Sequence, residues 1–217
     1  ANITRATART NSKNKGSKWG QYDFASWCAV WLLYLVEFAD WNSQSVIGIG
    51  ICGSSSMANT GGTDSMNYHT GTAASSRTTA GAVQYRNIEN PWGNIWEWID
   101  GVNFSDGTVY VCTTPANYAD DTTSGYTNAG TKTQSDGWIK AIGISSTAPW
   151  AFFPTEVGGS ETTYIPDYAY YNSGWRVLAV GGGYSNTTGY VGLFYFNAYY
   201  TSSNSNSSVG ARLLFHP

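Results

Sequence analysis

Charged side chains are scarce in this sequence. They make up 12% of the residues, whereas aromatic side chains reach 16%. The polar part of the surface must therefore come mainly from serine, threonine, asparagine, glycine and tyrosine hydroxyl groups. Surfaces of this composition are common in extracellular proteins that are rich in β-structure.

Groups for acid–base catalysis at neutral pH are also few. Of the two histidines, His216 is the penultimate residue, and His69 lies in a loop of serine, threonine and glycine without a carboxylate nearby in sequence. A Ser-His-Asp triad is therefore unsupported. A carbohydrate-active hydrolase needs two carboxylates that face a groove. Two such pairs stay open: Glu97 with Asp100, and Asp120 with Asp121.

Residues that bind metals or form disulfides are thinly spread. The cysteines, Cys28, Cys52 and Cys112, form no Cys-x-x-Cys motif and have no histidine at ligand spacing. We therefore expect neither a zinc site nor a disulfide framework, and we expect these cysteines to be small buried apolar residues. Acidic loops offer oxygen ligands for calcium, but their spacing matches no calcium motif, so no cofactor is predicted. These loops contain Asp100, Asp106, Asp120 and Asp121.

No hydrophobic run is long enough to cross a membrane. The longest, Phe24 to Phe38, is shorter than the roughly 20 residues that a transmembrane helix needs, and no signal peptide opens the chain. We therefore expect no membrane insertion.

Basic charge is concentrated at the start of the chain. Residues 1–18 contain five basic and no acidic side chains, whereas residues 19–217 carry fourteen acidic side chains against six basic ones. An acidic body repels phosphate backbones, so we expect no nucleic-acid partner. Residues 1–18 are predicted to be a solvated leading segment that joins the domain to something upstream.

One long helix is predicted early in the chain, from Tyr22 to Asp40. Asp23 is suited to cap it, and its apolar residues point in almost every direction, so we expect burial nearly all round. Short apolar runs separated by polar loops then predict strands. These runs are Val46–Ile51, Thr108–Cys112, Trp138–Ile144, Trp175–Val180, Val191–Phe196 and Val209–Phe215. The pattern predicts one α+β domain over residues 1–217 with long irregular loops.

The most distinctive motif is Asn90–Asp100, with the sequence NPWGNIWEWID. Trp92, Trp96 and Trp98 are large enough to form part of a core, and we assign them a structural role. Glu97 lies between two of these tryptophans and needs a partner, because an unpaired buried carboxylate is costly. The candidate partners are Arg212 and Arg176, each of which lies in an apolar strand.

Four segments follow one another in the order of a known family. They are Gly93–Trp98, Gly174–Val177, Gly181–Gly183 and Gly210–Leu213. Together they resemble the formylglycine-generating-enzyme-like branch of the C-type lectin fold, and the similarity extends from about Ile3 to Phe215. The Asn42-Ser43-Gln44 segment also resembles phage tail proteins of this branch. The resemblance implies one long buried early helix, short antiparallel strands and long irregular loops.

The resemblance implies two classes of function. Enzymes of the branch use cysteines near the C-terminal end, but here the last cysteine is Cys112, so a non-catalytic protein is expected. The other members bind ligands, and they include the variable proteins of diversity-generating retroelements. In those proteins a C-terminal lectin segment, here residues 175–215, is rewritten at adenine-bearing codons and is rich in asparagine, tyrosine, serine and threonine.

The segment Tyr184–Ser208 matches that description, and no charged residue occurs between Arg176 and Arg212. Tyrosine offers rigid amphipathic contact area, and asparagine and serine offer adaptable hydrogen bonds. Apolar residues at Val191, Leu193, Phe194 and Phe196 are expected to pin the scaffold. The predicted ligand-binding residues are Tyr184, Asn186, Tyr190, Tyr195, Asn197, Tyr199, Tyr200, Asn204 and Asn206.

Several interpretations of this segment stay open. The first is an adhesin on a phage tail or a bacterial surface that binds a host-cell protein or glycan. The second is a structural virion or surface protein whose aromatic face is a subunit interface in a homo-oligomer. The third is a carbohydrate-active hydrolase, and an ordinary solvated β-surface that binds nothing also fits the composition.

Overall fold

The computed structural model describes all residues, 1–217. The helices are α1 Arg5–Lys13, α2 Phe24–Phe38 and α3 Ser43–Val46, with single 3-10 turns at Pro115–Asn117 and Thr188–Tyr190. The strands are β1 Trp19–Gln21, β2 Thr70–Thr72, β3 Val83–Tyr85, β4 Ile88–Glu89, β5 Trp96–Ser105, β6 Thr108–Val111, β7 Thr127–Thr131, β8 Gly137–Ile144, β9 Phe152–Val157, β10 Tyr168–Tyr171, β11 Trp175–Val180, β12 Phe196–Ala198, β13 Val209–Gly210 and β14 Leu213–Phe215.

A nine-stranded sheet organises the molecule. Its strand order is β7-β6-β5-β11-β12-β10-β8-β9, and β13 pairs with β5 outside this path. Most neighbours are antiparallel, but β10–β12 and β13–β5 are parallel. Two small sheets, β1–β14 and β2–β3–β4, lie outside it. Few helices and a large sheet confirm the predicted α+β class.

Helix α2 packs against one face of this sheet. Asp23 caps it as predicted, accepting a 2.9 Å hydrogen bond from the Ser26 N–H, and Ala39 ends it in a left-handed conformation. Trp27 and Trp31 are fully buried on the sheet side. The expected burial all round is wrong, because only the stripe that faces the sheet is covered and Val36 on the outer side is 78% exposed.

Helix α1 packs against the domain, which corrects the expectation of a solvated leading segment for this part of residues 1–18, while residues 13–18 are exposed as expected. The Arg5 side chain is completely buried, and its guanidinium donates to the carbonyl of Val102 and to the side chain of Asn103, each at 2.5 Å. Arg9 forms a salt bridge to the buried Asp100 at 2.6 Å. Arg5 and Arg9 therefore balance carboxylates within the fold, whereas Lys13, Lys15 and Lys18 are exposed to solvent.

Three of the predicted strands are confirmed and three are not. Thr108–Cys112, Trp138–Ile144 and Trp175–Val180 correspond to β6, β8 and β11. In contrast, the Val46–Ile51 run begins at the end of α3 and continues as loop, the Val191–Phe196 run is mainly turn, and the Val209–Phe215 run splits into β13 and β14. The first two runs lack strand partners along most of their length, whereas the third pairs with β5 through β13 and with β1 through β14.

The two faces of the large sheet pack differently. Successive side chains of a strand point to opposite faces of the sheet, so each strand contributes side chains to both faces. One face carries the main core, which includes α2, Phe194 and Phe196. The other carries a small cluster of Trp98, Val177, Ala179 and Val209, with Trp96 and Tyr200 packed against it. The second face is thus apolar at its centre and incompletely covered at its edge.

The cysteines and two of the three motif tryptophans are in the interior. Cys28, Cys52 and Cys112 are free and buried, as expected. Trp92 and Trp98 are fully buried, which confirms their structural assignment. Trp96 is half-buried at the edge of the second sheet face, so it lies partly in the core and partly at the surface.

Candidate ligand-binding face

An ion pair fixes the frame beneath the tyrosine-rich segment. Arg212 meets Glu97 in a bidentate arrangement, with Nη2–Oε1 at 2.5 Å and Nε–Oε2 at 3.1 Å. Burial acts to lower the pKa of Arg212, but the Glu97 carboxylate outweighs it and the pKa is raised. This confirms Arg212 as the partner of Glu97. Arg176, the other candidate, donates instead to the carbonyl of Trp175 at 2.7 Å.

The first half of the segment is anchored from below. The N–H of Phe194 donates to Asp167 at 2.6 Å, and the N–H of Leu193 donates to the Ser43 hydroxyl at 3.0 Å. Trp31 on α2 donates its indole N–H to the Leu193 carbonyl at 2.8 Å. Val191, Leu193, Phe194 and Phe196 are all buried, so the apolar residues pin the scaffold as predicted.

Two of the predicted ligand-binding residues are inside the protein. Tyr195 is fully buried and Asn197 is 4% exposed. The Asn197 amide donates to the Tyr195 hydroxyl at 3.1 Å, and Trp96 donates to the same hydroxyl at 3.2 Å. These two residues support the face from beneath and are removed from the set that can touch a ligand.

The asparagines of the segment build its turns. Each uses its side-chain oxygen to accept a nearby backbone N–H, as asparagine does in tight turns. Asn186 accepts from Gly183 at 2.8 Å, Asn204 from Thr201 at 2.9 Å and Asn206 from Ser208 at 2.7 Å. Asn197 accepts from the N–H two residues further on at 3.0 Å. The asparagines therefore fix loop shape, and three of them keep a free amide nitrogen at the surface.

The tyrosines that remain at the surface belong to a larger cluster. Tyr190 packs against Tyr168 with ring centroids 4.6 Å apart and against Trp138 at 5.3 Å. Tyr168 also packs against Tyr170 at 4.7 Å. Sequence reasoning missed Trp138, Tyr168 and Tyr170, which come from β8 and β10. The alternation of two tyrosines around the buried Ala169 was the available signal, because residues two apart share one face of a strand.

The same surface continues toward the end of the segment. Tyr200 packs edge-on against Trp96, with centroids 6.1 Å apart, and against Tyr199 at 6.0 Å. The hydroxyl end of buried Tyr195 lies under this region, and its ring is 6.0 Å from Tyr170. We call the partly exposed rings together the aromatic face. Its members are Trp96, Trp138, Tyr168, Tyr170, Tyr190, Tyr199 and Tyr200.

The aromatic face is uncharged. Burial raises the pKa of Tyr170 to about 12 and also raises the pKa values of Tyr168 and Tyr200. These hydroxyl groups are neutral at physiological pH and can both donate and accept hydrogen bonds. Tyr199 is the most open member, at 49% exposure, and Tyr184 lies half-buried in the same segment. The arrangement offers flat apolar contact area edged by hydrogen-bonding groups.

Neither a protein-family model nor a curated protein matches this chain. The geometry of the aromatic face therefore has to be interpreted from its own residues.

The acidic residues considered for catalysis or calcium are engaged elsewhere. Asp100 and Asp120 both bind Arg9, at 2.6 and 2.7 Å, and Asp121 accepts from the Ser202 hydroxyl at 2.5 Å. No three histidine, cysteine, aspartate or glutamate side chains come together as a metal site. Separately, none of the helices combines the length and the apolar character needed to cross a bilayer.

His69 has a carboxylate neighbour, contrary to the expectation from sequence. Its Nε2 lies 3.6 Å from Glu37 Oε1, and Glu37 also accepts from Tyr85 at 3.0 Å and pairs with Arg86 at 3.1 Å. Burial acts to raise the pKa of Glu37, but hydrogen bonds from Tyr85 and the charge of Arg86 outweigh it, so that the pKa is lowered. Glu37 comes from α2, thirty-two positions before His69 in the chain, and only the fold brings the two together.

Proposed function

We propose that this protein is a non-catalytic receptor-binding module of the C-type lectin type and that the aromatic face binds its ligand. One observation carries the proposal: seven partly exposed, uncharged aromatic rings form two packed groups, one around Tyr168 and one around Tyr200, which buried Tyr195 connects from beneath. Surface patches of apolar side chains that are rimmed by polar residues mark interaction sites.

The chemistry of the face suits a binding role. Tyrosine and tryptophan supply large contact area with little side-chain entropy to lose, which is why binding loops favour them. The support is rigid, since Asp167, Ser43 and Trp31 hold the backbone that carries Tyr190. A preorganised surface loses less free energy on binding than a mobile one.

The retroelement part of the proposal assigns two roles within the C-terminal segment. Residues that hold the frame, such as Tyr195, Asn197 and Arg212, stay constant. Surface residues such as Tyr190 and Tyr199 are the ones that change. The division between buried anchors and open tyrosines supports this assignment, because the open positions can change without disturbing the core.

We infer that the partner is a protein or glycan on a host-cell surface and that the protein acts at a phage tail or on a bacterial surface. The rings of the aromatic face carry no charge, and the exposed Asp136 borders them, its carboxylate accepting from the N–H of Tyr171 at 2.7 Å. Sugar rings and uncharged protein loops both pack on tyrosine and tryptophan rings. The proposal includes neither nucleic acid nor a cofactor as a partner.

The non-catalytic part rests on how the candidate carboxylates are used. Glu97 is held by Arg212, and Asp100 and Asp120 are held by Arg9. Burial acts to raise the pKa of Asp120, but the charges of Arg5 and Arg9 outweigh it and the pKa is lowered, whereas a glycosidase needs one carboxylic acid of raised pKa. These pairs therefore support a structural role for the carboxylates.

Binding of the fluorescently labelled chain to a panel of intact bacterial strains, measured by flow cytometry, tests the proposal. Replacing Tyr199 and Tyr200 together with alanine should weaken binding to any recognised strain about tenfold or more and leave the melting temperature within a few degrees. Tyr68→Ala is the matched control, because Tyr68 is 76% exposed outside the face. Equal loss of binding in both variants would sink the assignment.

The encoding DNA offers an independent test of the retroelement part. A near copy of the codons for residues 181–215, differing almost only at adenines and lying beside a reverse transcriptase gene, is the expected finding. Absence of the copy would reduce the aromatic face to a fixed binding surface and remove the diversification from the proposal.

A further inference from the structure

A second apolar surface lies between the exposed side of α2 and the edge of the large sheet at β8 and β9. There α2 and the β8–β9 hairpin enclose an open groove of about 650 Å³ whose lining is almost entirely hydrophobic. Leu32 from α2 and Ile144 from β8 form part of its opposite walls and are 50% and 65% exposed. Leu33 and Val36 extend the same helix surface and are 43% and 78% exposed, since residues three and four apart are neighbours on a helix.

The area of this surface fits a protein interface. Its large apolar side chains are Leu32, Leu33, Val36, Trp41, Ile144 and Tyr164, with exposures from 37% to 78%. If a fully exposed side chain of this kind presents about 200 Å², they leave roughly 700 Å² open to water. The largest apolar patch on a typical monomer is about 300–600 Å², and a stable complex buries about 800 Å² on each partner. The estimated exposed area is therefore larger than the largest apolar patch of a typical monomer and close to the area that one partner buries in a stable complex.

The charge of the surface narrows the choice of partner. The single charged residue of the groove lining is Lys140, and it is paired with Glu156 at 2.6 Å. A basic or acidic partner would find no free charge of the opposite sign there. Two copies of this chain would each bury the same apolar surface and would keep the exposed Asp40, which lies beside Trp41 and Tyr164, at the rim of the contact.

We propose that a second copy of this chain covers the groove, with α2 packed against α2 about a two-fold axis. Two-fold packing places the same patch on both sides of the contact, so one self-complementary surface is sufficient. The exposed leucines and Val36 of each copy fill the groove of the other.

The proposed dimer leaves the aromatic face open. Helix α2 covers one face of the large sheet, whereas the aromatic face lies on the other. Dimerisation through α2 therefore does not depend on the proposed receptor binding, and it differs from a subunit interface made by the tyrosines. A dimer of this kind would display two aromatic faces, and two linked sites raise the overall strength of attachment to a surface.

Sedimentation equilibrium of the full chain tests the dimer. From about 1 µM to 500 µM the mean mass should rise from 23.5 kDa toward twice that value. Val36→Glu places an unpaired carboxylate at each side of the contact and should raise the dissociation constant at least about a hundredfold. Met57→Glu is the control, because Met57 is 39% exposed in a loop outside the groove, and it should behave as the unmodified chain.

Ile144→Glu, on the opposite wall of the groove, should also prevent association. With two variants, the test remains valid even if one of them fails to fold. A mass of 23.5 kDa at every concentration would overturn the proposal and assign the groove to another occupant. A trimer would overturn the two-fold arrangement. Association that survives both Val36→Glu and Ile144→Glu, or that Met57→Glu also abolishes, would place the contact elsewhere.

Discussion

The carboxylate of Asp167 accepts a 2.6 Å hydrogen bond from the backbone N–H of Phe194 in a site closed to water. No arginine or lysine forms a salt bridge with it. Gly192 lies so close that a methyl group in place of its hydrogen would overlap the carboxyl group. One buried acid thus shapes the turn that carries Tyr190 to the aromatic face.

The stability contributed by Asp167 should depend on pH. Burial raises its pKa from 3.8 to about 7, although hydrogen bonds from Phe194 and Tyr195 act in the opposite direction. The folded state then holds a proton more tightly than the unfolded chain between about pH 4 and pH 7. The free energy of unfolding should therefore fall by a few kcal/mol as the pH rises through this window.

Urea unfolding of the Asp167→Asn variant at pH 4.5, 6.0 and 7.5 measures this effect. Asparagine keeps an oxygen that can accept the Phe194 N–H but cannot ionise, so the pH dependence should be smaller than in the unmodified chain. Asp64→Asn, at an exposed aspartate, should leave it unchanged. An identical pH dependence in the unmodified chain and Asp167→Asn would show that Asp167 does not titrate in this range.

Arg212→Ala should destabilise the fold by about 3–5 kcal/mol, because it leaves the buried Glu97 carboxylate without its partner. Thermal unfolding followed by circular dichroism measures the loss. Arg176→Ala removes the same charge from a neighbouring strand without breaking a salt bridge, and it should cost less. An unchanged melting temperature in Arg212→Ala would refute a stabilising role for the pair.

Arg5→Met should also cost several kcal/mol of stability, since it removes the buried donor to Val102, Asn103 and Asp120. Lys13→Ala is the control from the same helix, because Lys13 is exposed, and its effect should stay within about 0.5 kcal/mol. Chemical denaturation of the three proteins compares them. Similar stability in all three would mean that α1 is not coupled to the core.

Trp138→Ala should weaken binding to recognised cells about tenfold although Trp138 lies outside the tyrosine-rich segment. The reason is its packing against Tyr168 and Tyr190, which makes it part of the aromatic face. Tyr68→Ala provides the control, because Tyr68 is 76% exposed and lies outside both the aromatic face and the α2 surface. If the Trp138 variant binds like the unmodified chain, the ligand contacts only the end of the face around Tyr199.

Sequence patterns predicted the parts of this protein that local chemistry determines. The Asp23 cap follows from a single residue and its neighbours, and the need of Glu97 for an arginine follows from the cost of a buried charge, although the choice between Arg212 and Arg176 came only from the fold. Strand β11 is an apolar run with clear polar boundaries. In each case one segment, or one unavoidable electrostatic requirement, contains enough information.

The remaining features depend on contacts between distant segments. Tyr195 and Tyr199 are the same type of residue and lie four positions apart, yet Tyr195 is buried under Tyr170 and Trp96 whereas Tyr199, beyond the end of β12, is 49% exposed. Tyr168 joins the face through the order of strands, which sequence alone does not specify. From sequence alone, Arg5 is predicted to be a solvated charge. Its burial becomes evident only when the fold brings it to Val102 and Asn103 of β5 and to Asp120.

The asparagines that hold the turns give the proposed binding surface two separate ways to evolve. A new side chain at Tyr199 would exchange one contact for another on an unchanged backbone. A new side chain at Asn186 or Asn204 would leave a backbone N–H without its side-chain acceptor, and the loop could then adopt a different backbone conformation. The first kind of change alters the affinity for ligands of one shape. The second changes the shape of the binding surface, so that ligands of a different shape can bind while the sheet beneath remains the same.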